Sequence, residues 1–363
     1  MELTEIQHEI LSWKAKNDEV FSTIWRSPSN IALLKYWGKS EGQLPINPSI
    51  SFSLSEAHTT TKITAYPDAI NPGISGINNN KQHPFLQKIA PFWLTVVKEI
   101  PLFKDYRIDI HTQNTFPHSA GIASSASGFS ALTLAVVDLA KEISGKQLPH
   151  DVFIKYASWL SRLGSGSACR SVYGGFSLWG VSKDWKNSSD LYAIDINEHI
   201  HPDFHHLQDA ILLVSAKEKR LSSSSGHDLM KEHPYAAGRV IQAKSHLKLF
   251  QKALAEGDLE LLAQLTENEA LSLHALIMSS RNGDILLEPA SLELIQRIRN
   301  FRLKGLPIFF TIDAGPNIHL IYPESEKEKV KAFILSELND ICPENKLIFD
   351  YAGTGPQKMN EID

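Results

Sequence analysis

The chain has 363 residues, of which 42% are hydrophobic and 21% charged, and its net charge is −5. This length predicts two domains of roughly 150 residues each. The negative charge argues against nucleic acid as a partner, and no run reaches the roughly 18 apolar residues of a membrane span. Only two cysteines, Cys169 and Cys342, and a polar N-terminus without a signal-peptide core predict a cytoplasmic protein.

The first segments contain a possible anion site. Residues 3–13 have the apolar spacing of a short amphipathic helix. Residues 24–39 break at Pro28 and continue as an apolar stretch that ends in Lys35 and Lys39. If this stretch is helical, the four-residue spacing places both lysines on one face, where they suit an anionic substrate. The alternative is a solvated lysine pair beside a core tryptophan.

A β-rich region follows. Residues 44–54 predict a turn followed by an alternating strand, the threonine-rich residues 59–65 predict a second strand, and alternation predicts another at 106–112. Glycine, asparagine and proline predict a loop or hairpin at 68–83. Residues 84–99 predict a helix, with Pro91 as a possible kink.

Residues 116–139 form a small-residue loop that runs into a helical pattern. Ser124 and Ser125 occupy the positions expected of an N-cap. The loop contains Gly121, and small residues there would let a ligand approach the unpaired N–H groups of the helix start. The segment therefore suits a phosphate, and the alternative is an ordinary serine-capped helix after a glycine turn.

A second Gly/Ser segment precedes an arginine. Residues 151–160 predict a helix that begins at Asp151. Ser165, Ser167 and Arg170 then lie among glycines, which predicts a cradle for a carboxylate or phosphate. The alternative is an ordinary surface arginine.

The C-terminal half contains a second strong signal. Asp313 ends an apolar strand and precedes a Gly-Pro turn, a place that packing alone explains poorly, although a turn-forming aspartate is the alternative. A basic, serine-rich loop at 217–227 can equally be a solvated loop. The remaining predicted elements are strands at 210–215, 307–312 and 318–322, helices at 235–255, 258–279, 289–303 and 324–338, and a strand at 346–351.

Several common sites are excluded by their motifs. The sequence has no Walker-type phosphate loop, no strand-linked dinucleotide fingerprint and no cysteine–histidine set with zinc spacing. The adjacent pair His205-His206 is interpreted as solvent-exposed rather than metal-binding.

Four separated segments, however, agree with one family. They resemble those of the diphosphomevalonate decarboxylases, members of the GHMP kinase superfamily, in the same order from about residue 24 to 322. The segments are Ser27–Lys39 with its continuation Leu44–Ser51, Gly121–Gly128, Ser161–Ser171 and Thr311–Asn317. The Lys35-Tyr-Trp-Gly-Lys39 and Gly164-Ser-Gly-Ser-Ala-Cys-Arg170 motifs are typical of the decarboxylases rather than of the whole superfamily.

The resemblance implies an α+β fold with two domains. The N-terminal domain would be ribosomal S5 domain 2-like, the C-terminal domain a ferredoxin-like α/β sandwich, and the active site would lie in the cleft between them. We expect an extension at 1–23 and domains at 24–200 and 201–363. The family also implies a cytoplasmic homodimer.

The resemblance further implies conversion of mevalonate 5-diphosphate with ATP and Mg²⁺ to isopentenyl diphosphate, ADP, phosphate and CO₂. Asp313 would accept the C3 hydroxyl proton, Lys35 would keep Asp313 ionised, and Arg170 would hold the substrate carboxylate. Other substrate-binding positions would be Asn30, Tyr36, Lys39, Ser165, Ser167, Ser223 and Ser224. The ATP phosphates would lie on Gly121, Ala123, Ser124 and Ser125, with the last two serines near Mg²⁺.

Two positions depart from the family pattern: His227 stands where a methionine is common, and Ser127 stands where an alanine is common in the phosphate loop. The rival interpretations are a mevalonate 3-kinase, a decarboxylase of the 5-phosphate, and a non-catalytic ligand-binding paralogue. Retention of Asp313, Lys35 and Arg170 favours a decarboxylase.

Overall fold

The computed structural model describes residues 1–117, 122–215 and 223–361. Two β-sheets with helices packed on them confirm the α+β class. The helices are α1 (Leu3–Leu11), α2 (Leu86–Glu99), α3 (Ser124–Ser144), α4 (His150–Gly164), α5 (Ser223–Asp228), α6 (Ala236–Glu256), α7 (Leu259–Met278), α8 (Pro289–Leu303) and α9 (Lys327–Phe333). The strands are β1 (Phe21–Leu34), β2 (Ser49–Pro67), β3 (Gly73–Ile77), β4 (Tyr106–Asn114), β5 (Phe176–Trp179), β6 (Ala193–Asp195), β7 (Gln208–Leu212), β8 (Phe309–Thr311), β9 (Ile318–Tyr322), β10 (Leu347–Tyr351) and β11 (Gln357–Met359).

The first sheet has the order β11-β1-β2-β4-β3, and β5 and β6 join it through β2. Only β3 and β4 pair in parallel among the described strands. The two strands predicted at 44–54 and 59–65 are one strand, β2. Strand β3 lies in the region predicted as a loop or hairpin, and β11 lies in a polar tail with no predicted strand. Both are edge strands, and β3 carries two glycines, so neither has the apolar alternation of a half-buried strand.

Strand β1 delivers the first lysine. Pro28 lies inside the strand, where the register with β2 shifts between Pro28 and Asn30. A proline is tolerated at such an irregularity because its missing N–H interrupts no regular ladder bond. The strand then continues to Leu34, so Lys35 emerges at its end. The helical arrangement of Lys35 and Lys39 considered from the sequence is therefore wrong.

Helix α3 packs across β1 and β2. Every residue from Ala126 to Ala140 is buried, which confirms the predicted central helix. Its N-cap is Ala123, in the left-handed conformation with φ of 46°, and no side chain caps it. The prediction that Ser124 or Ser125 is the cap is wrong, because the chain turns at Ala123 and Ser124 is already helical. Likewise α4 begins at His150, with Pro149 at its N-cap and Asp151 in its first turn, so the start predicted at Asp151 is one residue late.

The second sheet is antiparallel in the order β10-β7-β9-β8. Asp350 of β10 anchors it to the first sheet. Its carboxylate accepts the backbone N–H groups of Ser55, Glu56 and Ala57 at 2.7, 2.9 and 2.7 Å. These three residues lie between the two stretches of β2 that pair with β1, so the ion fixes the bend of that strand.

The helices of the C-terminal half follow the sequence closely. Helices α6, α7 and α8 confirm the predictions at 235–255, 258–279 and 289–303 within a residue or two. The predicted helix at 324–338 begins with a 3₁₀ turn and ends with a π turn around α9. No described helix is long and apolar enough to cross a membrane.

Candidate active site

A cleft of about 540 Å³ is lined by residues from both halves of the chain. Its walls come from the end of β1 and the segment after it, from α2, α3 and α4, from the 3₁₀ helix Gly166–Arg170, and from the loop after β8. The predicted site residues that line it are Asn30, Lys35, Tyr36, Lys39, Ala123, Ser125, Ser165, Ser167, Arg170 and Asp313.

Lys35 and Asp313 form an ion pair in this cleft. The lysine Nζ lies 2.7 Å from the aspartate Oδ1, and the two side chains are 2% and 27% exposed. Burial lowers the pKa of the Lys35 ammonium, while the carboxylates of Asp313 and Glu269 act in the opposite direction. The Asp313 carboxylate thus lines the cleft while it is paired with the buried Lys35 ammonium.

The backbone of Lys35 is held by a buried ion pair from two helices. Glu269 of α7 accepts the Lys35 N–H at 2.9 Å, and Arg239 of α6 donates to the Lys35 carbonyl at 3.0 Å. The two partners also bind each other, and His246 lies 2.6 Å from Glu269. Burial alone would raise the pKa of Glu269, but hydrogen bonds from His246 and charge from Arg239 hold it below its ordinary value. Helices α6 and α7 therefore fix the main chain from which the lysine extends.

His274 holds the backbone of Asp313 in a similar way. Its Nε2 lies 3.0 Å from the Asp313 carbonyl oxygen, and the side chain is 1% exposed. Burial lowers the pKa of His274 to about 4, so the ring is neutral and Nε2–H donates. Both members of the Lys35–Asp313 pair are thus supported from α7.

Arg170 is buried at the end of its 3₁₀ helix. Its Nε donates to Asn30 Oδ1 at 3.2 Å and a terminal nitrogen donates to Ser49 Oγ. Asn30 in turn donates to the Ser167 carbonyl and the Ser171 hydroxyl. A guanidinium carries five donors, so the fork retains capacity for an anion in the cleft.

The start of α3 and the second Gly/Ser segment meet in the same cleft. Ser125 Oγ and Ser165 Oγ lie 3.4 Å apart. Ser124 begins the helix, but among the described side chains that line the cleft Ser125 is present and Ser124 is not. Gly121 lies outside the described residues.

The described part of the cleft offers Mg²⁺ individual oxygen ligands and no ready cluster of acidic or histidine side chains. Among residues 1–117, 122–215 and 223–361, no group of three or more His, Cys, Asp or Glu side chains could hold a metal ion. Mg²⁺ commonly keeps several waters and binds one or two carboxylates together with substrate phosphates. The cleft offers oxygen ligands of this kind, the Asp313 carboxylate together with the hydroxyls of Ser125 and Ser165.

The segment after Lys35 forms the opposite wall. Tyr36 packs on Trp179 and on His227, with ring centroids 4.7 and 4.2 Å apart. The Lys39 Nζ donates to Gln43 at 3.0 Å. The helical turn α5 carries His227 to this wall. The predicted substrate residues Ser223 and Ser224 begin α5, and their side chains lie outside what the structure describes.

Sequence reasoning missed the residues that support the site. Glu269 lies 234 positions from Lys35 and His274 lies 39 from Asp313, both within a helix that was predicted without a role. A glutamate and a histidine five positions apart, both at buried positions of one helix, were the available signal, because buried polar and charged groups require partners.

Two family models match the chain. The model described as diphosphomevalonate decarboxylase-like N-terminal domain matches residues 27–191, and the model described as mevalonate 5-diphosphate decarboxylase C-terminal domain matches residues 210–359. Together they cover most of the chain.

Similar proteins agree with these models. The diphosphomevalonate decarboxylase of Saccharomyces cerevisiae is 30% identical, over 87% of this chain and 81% of its own length. The structure of mevalonate diphosphate decarboxylase from Staphylococcus aureus has a TM-score of 0.80 at 28% identity, and the match covers 94% of this chain and 99% of that one. A structure described as MDDEF in complex with MVAPP, AMPPCP and magnesium has a TM-score of 0.79 at 29% identity, covering 94% and 100%.

Proposed function

The chain belongs to the diphosphomevalonate decarboxylase family, and we propose that it converts mevalonate 5-diphosphate and ATP to isopentenyl diphosphate, ADP, phosphate and CO₂. The observation that carries the proposal is the Lys35–Asp313 pair at 2.7 Å in the cleft that Arg170 also lines. A base, a cation and a carboxylate-binding fork are what the two halves of this reaction require.

The first half is phosphorylation of the C3 hydroxyl. A tertiary hydroxyl is hindered, so its transfer depends on positioning and charge stabilisation. Asp313 accepts the hydroxyl proton as the oxygen bonds to the terminal phosphorus of ATP and ADP departs. Lys35 keeps the carboxylate ionised and stabilises negative charge that develops beside it.

The second half breaks the C1–C2 and C3–O bonds and forms two others, the second C=O bond of CO₂ from a carboxylate lone pair and the C2–C3 double bond, while the C3–O electrons leave with the phosphate. The C1–C2 electrons become the C2–C3 double bond as the C3–O bond breaks, so CO₂ and phosphate leave together. Arg170 holds the C1 carboxylate by its fork, while Asn30 and Ser49 fix the guanidinium. Ser165 and Ser167 line the same wall.

The ATP phosphates are assigned to the start of α3. Backbone N–H groups of a helix start favour an anion, and Ala123 and Ser125 line the cleft there. When bound, Mg²⁺ neutralises phosphate charge, and Ser124 and Ser125 are the hydroxyls proposed to lie near it. Gly121 is proposed to complete this loop. The diphosphate is assigned to Tyr36 and Lys39, with Ser223 and Ser224.

The organisation of the chain remains part of the proposal. We assign an extension to 1–23 and domains to 24–200 and 201–363, which the family models at 27–191 and 210–359 support. We also propose a cytoplasmic homodimer, on the family resemblance alone. Light scattering coupled to size exclusion tests the dimer, and a mass of one chain contradicts it.

The substrate is tested by a coupled ADP assay. Mevalonate, its 5-phosphate and its 5-diphosphate are compared as substrates of the purified full chain. We expect the highest kcat/KM with the diphosphate. A preference for mevalonate or for the 5-phosphate would assign the chain to one of the rival enzymes, and no ADP from any of the three would indicate a non-catalytic paralogue.

A further inference from the structure

His227 lines the cleft beside Tyr36, and one of its ring nitrogens already has a hydrogen-bond partner. The Gly38 backbone N–H donates to His227 Nδ1 at 3.0 Å. A neutral imidazole has one donor and one acceptor nitrogen, so this bond places the ring proton on Nε2. Among the described residues none forms a hydrogen bond with Nε2, and the side chain lines the cleft at 8% exposure.

The surroundings keep the imidazole neutral. Burial, assisted by the ammonium of Lys39 and the guanidinium of Arg170, lowers the pKa of His227 to about 3, while the Asp228 carboxylate acts in the opposite direction. The ring is therefore a fixed donor rather than a cation. Lys39 and Arg170 also line the cleft, so their positive charges favour an anion beside His227.

A second neutral donor lies beside it. Tyr36 is 9% exposed, and its Oη is buried without a hydrogen-bond partner among the described residues. Burial also raises the pKa of Tyr36, so the phenol keeps its proton. The rings of Tyr36 and His227 pack with centroids 4.2 Å apart, and the Trp37 ring also contacts His227 with centroids 5.0 Å apart. A buried donor without a partner costs free energy unless a ligand meets it.

The glycine before His227 allows α5 to pack closely against Trp37. A Cβ at Gly226 would lie 2.5 Å from the indole of Trp37, so only glycine lets α5 approach so closely. The packing holds the His227 ring against both Tyr36 and Trp37.

We propose that His227 Nε2–H donates a hydrogen bond to an oxygen of the substrate diphosphate, beside Tyr36 and Lys39. This inference rests on the proposed function. It makes His227 a substrate-binding residue, with a donor that the methionine expected here from the family resemblance does not offer.

Two amide substitutions test the roles of Nδ1 and Nε2 separately. His227→Asn can accept from Gly38 in place of Nδ1 but provides no donor at the far edge of the ring. His227→Gln can place an amide N–H near the position of Nε2. His199→Phe is the control, because His199 packs on Trp185 outside the cleft.

The experiment measures inorganic pyrophosphate as a competitive inhibitor against mevalonate 5-diphosphate at saturating ATP. Because a hydrogen bond to a charged group is worth about 10-fold or more in affinity, we expect His227→Asn to raise both Ki for pyrophosphate and KM by about 10-fold. The kcat should stay within about 2-fold, since ground-state and transition-state binding fall together. His227→Gln should recover most of the loss, and the control should match the wild type.

Three results would overturn the assignment: an unchanged Ki in His227→Asn, an equal loss in both amide variants, or a raised KM with an unchanged Ki for pyrophosphate. If the wild type makes no ADP from the diphosphate, the proposed function has failed. Calorimetric titration of pyrophosphate into the wild type and His227→Asn then decides the present inference by itself, with equal affinities refuting it.

Discussion

The Nζ of Lys35 lies 2.7 Å from the Oδ1 of Asp313, although 278 positions separate the two residues. Lys35 directly follows β1 and Asp313 follows β8, so each member of the pair lies just beyond a strand of a different sheet. The lysine is almost fully buried, while the aspartate remains partly open to the cleft. This difference in exposure suits the proposed roles, in which Lys35 keeps Asp313 ionised and Asp313 contacts the substrate.

Asp313→Asn should abolish turnover while nucleotide binding is retained. The amide keeps the size of the side chain but accepts no proton, so kcat should fall by roughly 10²–10⁴-fold. Steady-state ADP release and calorimetric binding of an ATP analogue measure the two quantities. The exposed Asp18→Asn is the matched control. Turnover near the wild-type rate would remove Asp313 from its role.

Arg170→Lys should impair catalysis without loss of charge. Lysine cannot reproduce the planar fork that contacts Asn30 and Ser49. We expect kcat/KM for the substrate to fall roughly 10–100-fold, the cost of losing charged hydrogen bonds. Arg107→Lys, at a half-buried position outside the cleft, is the control. An unchanged kcat/KM would show that Arg170 acts only as a charge.

Glu269 and Arg239 should position Lys35 in addition to stabilising the fold. Glu269→Gln leaves a buried guanidinium without its carboxylate, and we expect a loss of about 3–5 kcal/mol in the free energy of unfolding. Because the same carboxylate holds the Lys35 N–H, kcat should also fall while KM stays within about 2-fold.

The double variant Glu269→Met, Arg239→Met separates stability from positioning. Removing both charges together relieves the unpaired ion, so stability measured by urea unfolding should largely return. The kcat should not, because neither replacement can bind the Lys35 backbone. Recovery of kcat together with stability would mean that the pair is only structural.

His274 should make the fold sensitive to acid. Its pKa is about 4 in the folded chain and about 6.5 when unfolded, so the unfolded state binds more protons between these values. The stabilising contribution is fully present above pH 6.5 and is lost as the pH falls toward 4, by roughly 3 kcal/mol.

His274→Gln removes this titration while an amide N–H can still donate to the Asp313 carbonyl. Urea unfolding from pH 7 to 4.5 should therefore show a shallower loss of stability in the variant. The exposed His199→Gln is the matched control. A parallel acid dependence of His274→Gln and wild type would contradict this assignment.

Much of this arrangement could be anticipated from local patterns. The helix through Phe129 and Leu132, the three long C-terminal helices and the strand before Asp313 follow from periodicity. The resemblance, which short motifs carry, predicts the candidate cleft residues. Local patterns alone leave each of these segments with a non-functional interpretation as well.

The errors have physical causes. Lys35 and Lys39 line one cleft, but on an irregular segment after a strand that continues past Pro28 through a register shift. Ser124 was interpreted as a cap because its type is common there, whereas the left-handed turn at Ala123 moves the helix start. Such backbone choices are set by tertiary packing and leave little trace in spacing.

The supporting residues could not be assigned from the sequence for a different reason. Glu269, Arg239 and His274 lie on helices whose role depends on which long-range pairs form. A single sequence states that a buried charge needs a partner, but it does not name the partner.

The most direct test of the central claim is the stoichiometry of CO₂ to ADP with mevalonate 5-diphosphate labelled at C1. The wild-type chain, incubated with ATP and Mg²⁺, should release one CO₂ for each ADP and form isopentenyl diphosphate. ADP without CO₂ would show a kinase that does not decarboxylate, and CO₂ without a requirement for ATP would refute the proposed route through C3 phosphorylation.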